Sequence, residues 1–196
     1  MKRIYVRKVF PYNPTFNGRF SKYEGYHLIG LQERMVGINS TINVSLSEKI
    51  SNPIYYSPLR RAEETALCLK NTLGLQIEQV EFIKEIKFSL KNLLTEDEYN
   101  LYGSKLVRER FAKSFIKDEL TEKRSDIRER INKLIEFLRI LPEGKYLLIS
   151  HSFFMKVLQS YIKEKNLFEN PQILNKHFNF NKKTFKNGKG FEFNVE

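Results

Sequence analysis

The chain contains no tryptophan, one cysteine and three histidines among 196 residues. A lone Cys68 cannot close an internal disulfide, which excludes a disulfide-stapled scaffold and fits a reducing compartment. His27, His151 and His177 lie far apart in sequence and belong to no Cys/His cluster, so no metal centre and no cofactor is expected. No run of 18 or more apolar residues occurs, which excludes a membrane-spanning helix. Lys2 and Arg3 lead into no apolar stretch, so no secretory leader is expected, and the expected location is cytoplasmic. There is no internal repeat. There is also no RNP, helix-turn-helix or zinc-finger pattern that would make nucleic acid the main partner.

What the chain does have is positive charge and aromatic rings. Lys and Arg number 34 against 23 Asp and Glu, for a net charge of +11. That balance favours anionic ligands through long-range attraction, and weak binding of nucleic acid or another polyanion is expected from it. A Lys-, Asn- and Ile-rich background composition would give the same balance. Hydrophobic residues make up 41%, enough for a core, and the length suits a single domain over residues 1–196.

Ile4 to Val6 is short and β-favouring, and reads as a buried first strand followed by basic residues. Phe10 to Gly30 carries two prolines and several aromatics and reads as a long loop, and Gly30 to Ile38 as a weak helix. Pro53 to Ser57 is a second strand. Ser57 then suits a helix N-cap with Pro58 at the first helical position. Ala62, Ala66, Leu69 and Leu73 recur at helical spacing, and Gly74 ends that helix. Ile77 to Phe82 alternates as a strand. Thr95 to Lys117 and Ser125 to Leu141 are helical, and Pro142-Glu143-Gly144 is a turn. Tyr146 to Ile149 is the most strand-like run, leading through Ser150-His151 into a helix with Phe154, Val157, Leu158 and Tyr161 on one side. Phe191 to Val195 is a last strand, after an exposed loop over 179–190. Strands alternating with helices predict a three-layer α/β/α sandwich with a mostly parallel central sheet.

Several basic and acidic groups fall where such a sheet places its ligand, just beyond the carboxyl ends of strands. Arg7 follows the first strand and can offer a planar fork to phosphate oxygens. Arg60 and Arg61 lie in the first turn of a helix, where a cation opposes the helix dipole by roughly 0.3–1 kcal/mol. An arginine kept there is suited to holding an anion beside the free N–H groups of the helix start. His151 ends a buried strand and opens a helix, a place for a phosphate ligand or a proton-transfer group. Glu85, just past the third strand, could give a proton to a leaving oxygen. Taken singly, each is as readily a surface charge or a capping group.

Their order is more specific. Ser57-Pro58-Leu59-Arg60-Arg61-Ala62-Glu63-Glu64-Thr65-Ala66 closely resembles the Ser-x-Leu-x-Arg-Ala-x-x-Thr-Ala helix start of the histidine phosphatase superfamily, the phosphoglycerate-mutase-like proteins. Leu147-Leu148-Ile149-Ser150-His151-Ser152 is similar to that family's late strand and second histidine. Ile4-Tyr5-Val6-Arg7-Lys8-Val9 resembles its opening strand and Arg-His-Gly motif. Glu85-Ile86-Lys87-Phe88 resembles its acid-bearing segment, and Gly18-Arg19-Phe20 loosely its first loop. The likeness covers residues 3–162. It implies a phosphate pocket of Arg7, Arg61 and His151, with Glu85 as proton donor. It also implies that Lys8 occupies the position of the nucleophilic histidine and Val9 that of the glycine.

The family's neutral imidazole attacks phosphorus and becomes a phosphohistidine. A protonated lysine has no lone pair, and a neighbouring phosphate dianion holds it protonated. The same charge strengthens anion binding at Lys8. Two readings follow. One is a pseudophosphatase that binds a phosphorylated small molecule or macromolecule, or serves a protein partner in an assembly. The other is a phosphomonoesterase with altered chemistry, using His151, Glu85 and the Arg7/Arg61 pair. The sequence names neither the ligand nor the oligomeric state.

Overall fold

The computed structural model describes residues 1–8, 50, 52–180 and 185–196. The loop expected at Phe10–Gly30, the helix at Gly30–Ile38, the Gly18-Arg19-Phe20 echo, Val9 and His27 lie outside them. Five strands form one sheet in the order β3-β2-β4-β1-β5: β1 (Lys2–Lys8), β2 (Ile54–Tyr56), β3 (Ile77–Gln79), β4 (Lys145–Ser150) and β5 (Gly190–Val195). β1, β2, β3 and β4 run parallel, and β5 pairs antiparallel with β1. The expected side-by-side arrangement of the strands ending near Arg7, Ser57 and Ser150 is therefore present, with β4 between the other two.

β4 explains the arrangement. Every residue from Tyr146 to Ser150 is buried, as a central strand covered on both faces requires. Leu147 and Ile149 face one way, with Tyr5, Ile54 and helix α1 (Arg60–Leu73), whose Ala62, Ala66 and Leu69 pack against them. Tyr146 and Leu148 face the other, with Ile4, Val6 and Tyr55. This second face is covered by α4 (Ser104–Lys117), α5 (Arg124–Ile140) and α6 (Ser152–Lys163). Helices on both faces make the domain an α/β/α sandwich.

The smaller helices are α2 (Leu90–Leu93), α3 (Glu96–Tyr102) and α7 (Ile173–His177). Three boundaries differ from expectation. The segment 95–117 is two helices, broken at Gly103, whose φ of 62° and ψ of −153° suit a residue without a side chain. A complete capping box of Thr95 and Glu98 starts the first of them. The strand at 77–82 stops at Gln79, and Glu81–Ile83 turns as a 3₁₀ helix. Helix α1 starts after Leu59 rather than Ser57: the Ser57 hydroxyl meets the Leu59 N–H and the His151 ring instead of an N–H inside the helix. The expected exposed loop is described only at its ends, and over 185–189 it is partly exposed: Phe185 is buried and stacks on Phe191, whereas Lys186, Asn187 and Lys189 are exposed. Gly190 then lies so close to the Val6 carbonyl that a Cβ would collide with it.

Candidate functional site

The parallel strands β1, β2 and β4 end together. Lys8 is in register with Ser150, and the Ser57 N–H donates to the Ile149 carbonyl at 3.1 Å. The side chains following these ends therefore meet at one edge of the sheet, although they lie far apart in sequence.

The two adjacent arginines of α1 take opposite sides. Arg60 points outward and pairs with Glu64 one turn on. Arg61 is buried, and its Nε–H donates to His151 Nδ1 at 3.1 Å. That bond makes Nδ1 the acceptor, so a neutral ring carries its proton on Nε2 and donates to Ser57 Oγ, 2.7 Å away. Ser57 Oγ also accepts the Leu59 N–H. This hydroxyl is completely buried and would be wasted as an exposed cap. His151 itself is 1% exposed. Burial above all, and then the charges of Arg61, Lys8 and Arg130, hold its pKa well below the ordinary histidine value. The imidazole is neutral at pH 7.

Glu85 approaches from the other side. One carboxylate oxygen accepts the N–H groups of Ile86 (3.1 Å) and Phe154 (2.8 Å), and the other that of Phe153 (3.3 Å). Phe153 and Phe154 belong to the first turn of α6, where free N–H groups favour negative charge. Burial nevertheless dominates and raises the Glu85 pKa, with the backbone N–H groups and Arg61 pulling the other way. The carboxyl retains its proton to higher pH than an exposed glutamate does.

Arg61, His151 and Ser57 are thus in direct contact, and charge couples Glu85 to Arg61 and Lys8 to His151. Arg7 stands differently. Its Nη1 donates to the carbonyls of Val6 and Phe191, at 3.4 and 3.3 Å, and its guanidinium lies 5.6 Å from the Tyr5 ring centroid. Among the described residues, none of these contacts is with Arg61 or His151. Strand alternation puts Arg7 on the same sheet face as Tyr5, the face covered by α1. Three groups were not singled out from sequence as site groups: Ser57, which read as a helix cap, and Arg130 and Glu122, considered below. No cluster of three or more metal-ligating side chains occurs among the described residues. No helix among them is long and apolar enough to cross a membrane.

The histidine phosphatase superfamily (branch 1) model matches residues 41–191. The chain belongs to this superfamily. The matched stretch begins after the Arg7-Lys8-Val9 segment. No curated protein sequence matches the chain. Solved structures of the same fold are distant in sequence. YhfR of Bacillus stearothermophilus aligns with a TM-score of 0.51 at 18% identity, covering 84% of this chain and 81% of that one. A mutant phosphoserine phosphatase of Entamoeba histolytica, in complex with phosphoserine, aligns at 0.50 and 16%, covering 96% and 88%. The mycobacterial glucosyl-3-phosphoglycerate phosphatase in complex with VO3 aligns at 0.50 and 16%, covering 83% and 82%. At such identities the likeness is one of fold.

Proposed function

We propose that this superfamily member binds a phosphorylated small molecule or a phosphorylated partner at the sheet edge and does not form a phosphohistidine. The observation that carries the proposal is Lys8. It ends β1 in register with Ser150, next to His151, and its charge acts on that ring. This is where the sequence likeness expects the attacking histidine. A protonated amine there attracts a phosphate dianion but has no lone pair with which to attack it. Loss of a covalent nucleophile lowers turnover by several powers of ten.

In this reading Arg61, His151 Nε2–H and Lys8 supply donors to phosphate oxygens. Glu85, when protonated, adds a fourth donor to the bridging or a terminal oxygen. Arg7 joins by turning its guanidinium from the Phe191 carbonyl toward the ligand. Two of the structures with a similar fold hold phosphoserine or VO3, which supports a phosphorylated ligand for a chain of this fold.

Binding is tested by thermal unfolding with inorganic phosphate or vanadate. At ~100 times the dissociation constant the expected gain is about 2.7 kcal/mol, and it should vanish in Arg61→Ala. No shift in the wild type would overturn the reading. The chemistry is tested by Lys8→His combined with Val9→Gly, which should raise hydrolysis of an aryl phosphate above the wild type across pH 5–8.

One observation favours a second reading, a phosphomonoesterase with altered chemistry. His151 is held neutral, the form that can attack phosphorus or accept a proton. Its Nδ1 lone pair is occupied by the Arg61 N–H, so this route needs Arg61 to turn to the ligand first. Robust wild-type turnover abolished by His151→Ala would select it.

A further inference from the structure

Behind the carboxyl of Glu85 lies a second arginine, on an element that contributes nothing else to the site. Arg130 projects from the middle of α5. Its Nη1 donates to the carbonyl of Lys84 at 2.9 Å and to that of Phe82 at 3.4 Å. Its Nε lies 2.7 Å from Glu122 Oε1, an ion pair without hydrogen-bonding alignment at that nitrogen. Its guanidinium lies over the Phe154 ring, 4.9 Å from the centroid. Glu122 in turn holds the far end of the same segment. Its Oε2 accepts the Lys87 N–H at 2.9 Å, and its own N–H donates to the Lys87 carbonyl at 3.0 Å. Ser150 Oγ donates to the carbonyl between the two arginine contacts, Ile83, at 2.6 Å.

We propose that Arg130, with Glu122 as its counter-charge, is a positioning residue that fixes where the Glu85 carboxyl sits. Residues 82–87 have no strand partner past Gln79 and only a short 3₁₀ turn of their own. Such a segment is ordinarily free to shift. Here it is gripped on both sides of Glu85, by Arg130 of α5 and Ser150 of β4 before it and by Glu122 of the turn preceding α5 after it. The ring under Arg130 belongs to the residue whose N–H caps the carboxylate, so one side chain braces both the segment and its hydrogen-bond donor. The pair is nearly dry: the side chains are 12% and 9% exposed. A buried ion pair gives little net stability over an apolar pair of similar volume, so stability alone is a weak reason for these two residues. The proposal rests on reading Glu85 as a carboxyl of the site.

The charges that act on Glu85 and on the neighbouring His151 are Arg61 from α1, Arg130 from α5 and Lys8 from β1, with Glu122 closing the pair on Arg130. Removing Arg130 therefore changes the field at Glu85 as well as its position. The experiment uses full-length protein labelled with ¹³C at glutamate Cδ, without phosphate, with the Glu85 signal assigned by its loss in Glu85→Gln. In Arg130→Met/Glu122→Leu no charge is left unpaired. The Glu85 signal should titrate at higher pH than in the wild type, and the Phe154 amide should exchange with solvent faster. Arg130→Lys keeps the charge but cannot span two carbonyls and Glu122. It should restore the titration towards the wild type while leaving Phe154 exchange fast. A double variant that melts at a different temperature, yet keeps the wild-type titration and exchange, would make the pair merely structural and overturn the proposal. If the double variant does not fold, Arg130→Lys decides alone, and unchanged Phe154 exchange overturns it. The measurement needs no ligand. Failure of phosphate to bind the wild type would sink the binding reading without altering this readout, so the two failures are distinguishable.

Discussion

The two walls of the site are built by different means. On the α1 wall, Arg61, His151 and Ser57 are joined side chain to side chain. On the opposite wall, Glu85 is held by three backbone N–H groups, and its segment by Arg130, Glu122 and Ser150 acting on backbone carbonyls and amides. A chain of side-chain bonds can be exchanged by rotating χ angles, and the proposed function has an arriving anion take the Arg61 N–H from His151. A carboxylate fixed to main chain can move only if main chain moves. The difference is between an adaptable wall of side-chain bonds and a rigid wall that holds its carboxyl by main chain.

The sharpest way to break this comparison is to cut the ion pair behind the rigid wall. Glu122→Ala leaves the Arg130 charge buried, and chemical denaturation should give a loss of about 3–5 kcal/mol. Arg130→Met/Glu122→Leu should recover most of it. A loss as small as that of an exposed pair would remove the distinction between the walls.

Ser57→Ala tests the adaptable wall. It leaves His151 Nε2–H buried without its acceptor, at an expected cost of roughly 1–3 kcal/mol. A smaller effect would mean that the imidazole finds another partner, which sharpens the claim of adaptability.

The two walls should also differ in pH dependence. The folded-state pKa of His151 lies below 6.5, so the unfolded chain takes up its proton first. Stability from this group is complete above that pH and is lost as pH falls through it. Glu85 acts in the opposite sense. Its folded pKa lies above 4.5, so stability from this group declines as pH rises past 4.5, until the folded carboxyl also ionises. Unfolding free energies across pH 4–8 should therefore show a weaker acid loss in His151→Gln than in the wild type. Glu85→Gln should gain relative to the wild type as pH rises from 4.5. Parallel curves for all three proteins would contradict both assignments.

The smallest effect belongs to Arg60, which neighbours the site in sequence but not in space. Its pair with the half-buried Glu64 is of the i,i+4 kind, worth about 0.2–0.5 kcal/mol. Arg60→Ala should leave phosphate-dependent stabilisation unchanged, whereas Arg61→Ala should abolish it.

Where a local pattern governs the structure, the sequence was readable. The run Tyr146–Ile149 has the length and unbroken hydrophobic character of a buried strand and forms the centre of the sheet. The spacing of Ala62, Ala66 and Leu69 marks the packed face of α1, and Gly74 ends it. Glu85 stood out from its place after a strand and gained weight only through the family likeness, since nothing in Glu85-Ile86-Lys87 reveals that three N–H groups await the carboxylate. Ser57 read as a cap because a serine before proline and a helix commonly is one. Its use by His151, 94 residues away, depends on β2 and β4 lying side by side. The break at Gly103 was visible as a glycine but not as a sharp turn, since an isolated glycine is also tolerated within a helix.

The sequence by itself determined the alternation of strands and helices, the family, and the chemical types gathered at the strand ends, Lys8 among them. These follow from short-range periodicity and from motifs whose residues are near neighbours in the chain. Tertiary structure alone decided that Arg61 is buried while Arg60 is not, that His151 is neutral, and that Arg130 and Glu122 stand behind Glu85. Burial, the desolvation that shifts a pKa, and ion pairs between separate elements depend on what the folded chain brings within a few ångströms, and no local pattern encodes that.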